Sequence, residues 1–143
     1  MITRRETLLA AFALICQQAV AADQQHATHT PDRSDHGRVF VHDLPNITMD
    51  DWQVTVSHVD FAPGRKGSVH HHAGFVLAYV LEGAILNKVS GQPERVYHKG
   101  EMFYEPPGST HLVSDNASAT EPARLLAMIF AKKGAKLTLP GPA

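Results

Sequence analysis

The sequence holds one cysteine, has no apolar run long enough to cross a bilayer, and carries almost no net charge, with 13 Lys and Arg against 14 Asp and Glu. Each shortage removes a class. Cys16 ends the N-terminal apolar stretch that begins at Leu8, so the remainder of the chain can form neither a disulfide nor a thiolate metal site. That stretch falls short of the roughly 20 residues a membrane helix needs, and no membrane span is expected. Without a basic patch there is no case for nucleic acid. No window sustains a 3.6-residue apolar period, which argues against a helical bundle, and no internal repeat points to a second copy of one domain.

What the N-terminus does contain is Arg4 and Arg5, then the apolar stretch, then the small-residue segment "AVAA" at 19 to 22. This is the layout of an export signal over residues 1–22, and the paired arginines in "TRRETLL" resemble a twin-arginine signal. The protein is therefore expected to be exported, to the periplasm or the extracellular space. Loss of Arg4, Arg5 and Glu6 with the signal leaves a mature net charge near −2. Residues 23–37, "DQQHATHTPDRSDHG", are polar and aperiodic, which predicts a flexible leader.

From Arg38 onward, short β-like runs alternate with turn signals. "RVFVHD" (38–43), "WQVTVSHVDF" (52–61), "FVLAYVLEG" (75–83), "AILNKVS" (84–90), "ERVYHKG" (94–100), "EMFYE" (101–105), "HLVSDN" (111–116) and "RLLAMIF" (124–130) follow one another at the spacing of an all-β sandwich or barrel. A jelly roll suits a chain of this size.

Into this pattern fall three consecutive histidines, His70, His71 and His72. On an extended segment side chains alternate, so His70 and His72 share a face, about 7 Å apart, while His71 points away. Two neutral imidazoles on one face can converge on zinc, iron, copper or nickel. Thirty residues on, "GEMFYEPPGSTH" leads a strand through a Pro-Pro-Gly turn to His111.

Together these segments resemble the two motifs of the cupin superfamily. Gly64, His70, His72 and Gly83 match the first motif in spacing; Gly100, Pro106, Gly108 and His111 match the second. The resemblance implies a single-domain cupin jelly-roll β-barrel over residues 38–143. It also implies one divalent metal ion held by His70, His72 and His111, with Fe(II) favoured and Zn, Mn or Ni admissible. Family members are commonly dimers, so a homodimer is allowed, although no face of the sequence identifies itself as an interface.

Two positions depart from the pattern. The motif's final Asn is Asp115, with Asn116 next to it, a minor change because both side chains make similar local hydrogen bonds. The glutamate that should follow His72 is Val76, which can neither ligate a metal nor act as a base. The remaining trio resembles that of the three-histidine iron dioxygenases. That likeness implies a dioxygenase-like enzyme acting on a small chelating substrate. A cupin fold also hosts binding modules without turnover, and that alternative stays open. Glu105, in "YEPP", is the candidate to replace the missing acid as ligand or general base, and Tyr104 is a candidate hydrogen-bond donor to substrate. Strand parity leaves open whether Met102 and Tyr104 or Phe103 and Glu105 face inward.

Overall fold

The computed structural model describes residues 37–143, and the expected export signal and almost all of the leader lie outside the described residues. Nine strands run in chain order: β1 (Trp52–Phe61), β2 (His70–His72), β3 (Phe75–Glu82), β4 (Ala84–Val89), β5 (Arg95–His98), β6 (Met102–Glu105), β7 (Thr110–Asn116), β8 (Ala123–Lys132) and β9 (Thr138–Pro140). All pairings are antiparallel, in one sheet of order β1-β8-β3-β6 and a second of order β5-β4-β7-β2-β9. No helix occurs among the described residues. This is the jelly-roll sandwich that the strand pattern predicts.

Alternation decides which side chains meet between the sheets. Along β8, Ala123, Leu125, Ala127, Ile129 and Ala131 turn inward; along β4, Ile85, Asn87 and Val89 do so. Phe61, Ala78, Val80, Ile85, Phe103, Ala123 and Leu125 form the core cluster. The inward rows of β3 and β8 then continue past this core. Ala78 stands opposite Ala127, and Val76 opposite Ile129. Small side chains at the Ala78–Ala127 pair leave the interior unfilled there, and a cavity of about 470 Å³ opens over them.

Two glycines let the chain turn tightly around this interior. Gly83, at φ 67°, links β3 of the first sheet to β4 of the second, and a Cβ there would lie 2.5 Å from the Pro122 carbonyl oxygen. Gly74 joins β2 to β3, where a Cβ would overlap the Phe130 carbonyl oxygen and crowd the Trp52 ring.

The ends of the chain differ from expectation. "RVFVHD" forms no ladder: residues 38–43 run without a strand partner, with Val39 and Val41 exposed, while the His42 ring lies 4.1 Å from that of Tyr104. Its apolar alternation is genuine, but alternation makes a strand only where a neighbour's N–H and C=O groups are free to pair. Conversely, β9 carries almost no strand signal, being three residues long and ending in proline. It is an edge strand, where a residue without an N–H is tolerated.

Gly74→Ala is expected to lower stability by about 1–3 kcal/mol, the usual range for forcing extra atoms into a packed site. Denaturant unfolding would read this as a lower midpoint. An unchanged midpoint would show that the turn between β2 and β3 has slack.

Candidate metal centre

β2 is only three residues long, yet it lies between β7 and β9 in the second sheet. Its pairing with β7 sets His70 directly opposite His111. Opposed residues of an antiparallel pair project to the same face, and His72 shares that face by alternation. The His70 ring centroid is 5.0 Å from that of His72 and 4.9 Å from that of His111. One ring nitrogen from each of the three lies within 4.8 Å of the others, a spacing that one ion can span. His71 projects to the other face, where its Nδ1 bonds the Gly141 carbonyl at 3.1 Å.

Backbone carbonyls orient two of these rings. His70 Nδ1 lies 2.7 Å from the Ser68 carbonyl oxygen, and His72 Nδ1 lies 3.1 Å from that of Leu137. A carbonyl can only accept, so both Nδ1 atoms carry the proton and both Nε2 lone pairs are left to face the cluster. His111, 3% exposed, has no hydrogen-bond partner at either ring nitrogen. A buried imidazole left in this state is costly unless a cation meets its lone pair.

A carboxylate does reach the histidines, but from another strand than the one that follows His72. In the β3–β6 ladder, Val76 stands directly opposite Glu105, so the Glu105 side chain projects into the space beside the valine. Glu105 is 4% exposed, with Oε2 3.7 Å from His72 Nε2 and Oε1 3.3 Å from His111 Nδ1. With the His72 proton committed to Leu137, a lone pair and a carboxylate oxygen confront each other at 3.7 Å. A proton or a metal ion between them relieves that repulsion. Burial holds the His72 pKa below its ordinary value, against the opposing pull of Glu105, and so favours the neutral ligating form. The residues present therefore fit a divalent cation.

Tyr104 does not share this cavity. Its neighbour Glu105 takes the inward parity with Phe103, which puts the Tyr104 ring on the other face of β6, against His42 and 6.0 Å from Phe75. A role for its hydroxyl beside the histidines is thereby corrected, because adjacent residues on a strand point in opposite directions.

Two further devices hold the histidines. Asp115 accepts a hydrogen bond from the Gly67 N–H at 2.9 Å and pairs with Lys66 at 2.9 Å, tying the loop that leads to His70 onto the strand that carries His111. Burial raises the Asp115 pKa, but the Lys66 and Gly67 contacts outweigh it and hold the carboxyl below its ordinary value. Asn116 donates to the carbonyls of Phe61, Ala62 and Glu121 and so takes the turn role of the motif's asparagine. The second device is β9, which pairs with all three residues of β2 and brings the Leu137 carbonyl and the Thr138 hydroxyl to His72. Sequence reasoning missed this strand, and no motif advertises it.

A family model described as a cupin domain matches residues 57–129. No curated protein matches the sequence. Among solved structures, an oxalate oxidase in complex with the substrate analogue glycolate is 28% identical, with TM-score 0.50, over 62% of this chain and 44% of that one. A DMSP lyase from Ruegeria pomeroyi is 17% identical, with TM-score 0.53, over 61% of this chain and 42% of that one. A cupin-like protein from Thermotoga maritima is 22% identical, with TM-score 0.51, over 63% and 65%. The last two show the shared fold, and the chain spans less than half the length of the first two.

Truncation after Lys136, which removes the His72 orienting groups, is expected to weaken divalent-metal uptake ten- to a hundredfold, the usual effect of losing a partner that orients a ligand. A chelator competition would measure it, and unchanged affinity would show that β9 is dispensable. Acid should also weaken the metal-free fold. The unfolded chain binds the His72 proton more tightly, so this contribution is complete above about pH 6.5 and is lost as pH falls through the lower folded value. Thermal melts of apo-protein between neutral and mildly acidic pH would follow this loss, and His72→Gln should flatten the dependence.

Proposed function

Because the chain belongs to the cupin family, we propose that it is a metal-dependent enzyme whose site, built from His70, His72, His111 and Glu105, acts on a small chelating substrate. The observation that carries this reading is Glu105, buried beside two imidazoles at the position opposite Val76. A barrel kept only for packing gains nothing from a buried carboxylate without a hydrogen-bond donor of its own. The ion favoured is Fe(II), with Zn, Mn or Ni admissible, and we read residues 1–22 as the signal that exports the protein.

Bound there, a divalent ion would supply Lewis acidity, and Fe(II) would add the capacity to react with O₂. The protein's own groups do the rest. The Ser68 and Leu137 carbonyls keep the His70 and His72 lone pairs turned inward. Glu105 can take a proton from a substrate held beside it, at Oε1 or Oε2, and return it later. Val76, Ala78, Ala127 and Ile129 give the cavity an apolar floor, which would favour the exclusion of water and so strengthen the electrostatics above them. The oxalate oxidase relative holds glycolate, a small oxygen-rich chelator, and supports a substrate of that kind.

Protein isolated from its own host is expected to carry one divalent ion per chain, and His111→Ala should lose it; retention by the variant would sink the site assignment. Iron-loaded wild type should consume oxygen with at least one member of a phenolic, diketone, thiol and hydroxy-acid panel. Glu105→Gln should cut that rate about a hundredfold or more, the scale of losing a positioned acid–base group. A flat response from the wild type would instead favour a binding module. The pair Val76→Glu and Glu105→Val, which returns the acid to β3, should bind metal as the wild type does.

A further inference from the structure

Arg65 follows β1 in the loop that leads to β2, and its main chain is fixed on both sides. Its N–H donates to the Ala62 carbonyl at 3.0 Å, and its carbonyl accepts from the Asn116 N–H at 2.9 Å. The guanidinium lies over the Phe61 ring, 4.6 Å from the centroid, and donates one hydrogen bond, to the Asp60 carbonyl at 3.3 Å. Among the described residues no carboxylate pairs with it. Asp60, the nearest acid in sequence, is engaged by Arg124 instead. Arg65 and Phe61 line the same cavity as the three histidines, and among the described residues Arg65 and Glu105 are the Lys, Arg, Asp or Glu side chains on its lining.

We infer that Arg65 is a substrate-binding residue that receives the carboxylate of a small organic acid whose chelating group is held at the histidine cluster. The inference rests on the function proposed above and specifies its substrate class. A guanidinium presents a planar fork that matches a carboxylate with two parallel hydrogen bonds. Stacking on Phe61 restrains that fork before substrate arrives, so less freedom is lost on binding. Glu105 repels a carboxylate while Arg65 attracts it, and the two charges together orient the ligand. The same lining carries Val59, Val76, Ala78 and Leu125, an apolar surface for a short alkyl or aromatic body. A cavity of about 470 Å³ is at the small end of ligand pockets, so the acid is of metabolite size.

Protocatechuate and catechol share a chelating diol and an aromatic body, and only protocatechuate carries the carboxylate. Calorimetric titration of zinc-loaded full-length protein should show protocatechuate binding at least tenfold more tightly than catechol. Arg65→Gln should abolish that preference while leaving catechol affinity, metal stoichiometry and melting temperature unchanged, and Arg65→Lys, which keeps the charge without the fork, should restore part of it. Equal affinities in the wild type, or a preference that survives Arg65→Gln, would overturn the inference while the metal centre stands. Wild type that takes up no metal would overturn both.

Discussion

The candidate site depends on the antiparallel register that sets Val76 opposite Glu105 and His70 opposite His111. Residues facing each other across two strands lie about 5 Å apart on one surface, so a ladder can move a functional group between strands without moving it in space. The acid absent from β3 is present on β6, and the volume it needs is released by the smaller valine. Slipping either ladder by one residue would turn Glu105 or His111 out of the cavity.

Burying this cluster is expensive, and the structure shows how the cost is contained. Two imidazoles are tied to backbone carbonyls, one from the loop before β2 and one from the segment before β9. Among the described residues the carboxylate pairs only with imidazoles, and His111 has no hydrogen bond at either nitrogen. A divalent cation would satisfy such a set. Packing supplies the space. The facing pair Ala78 and Ala127 ends the filled core, and the same rows of β3 and β8 become the floor of a cavity with one cation and one anion on its lining.

Periodicity and motif spacing made much of this legible. Alternation placed the strands from β1 to β8 and separated His71 from its two neighbours, while the resemblance to the second cupin motif matched His111 to them. It misled at residues 38–43, whose apolar alternation meets no open ladder, and it was silent on β9, whose three residues are too few for any pattern. Both failures have one origin: a strand is completed by hydrogen bonds to a neighbour that the local sequence does not contain.

The choice between Tyr104 and Glu105 has the same origin. Sequence determined that one of these adjacent side chains must face inward, because successive residues on a strand point to opposite faces. Only the pairing of β6 with β3 decided that it is Glu105, since parity within a strand is local whereas the side of the sheet that faces the core is set by the partner. Likewise the sequence determined the histidines and their spacing. Which carbonyl turns each imidazole, and that a guanidinium 5 residues before His70 shares their cavity, were decided by contacts between segments far apart in the chain.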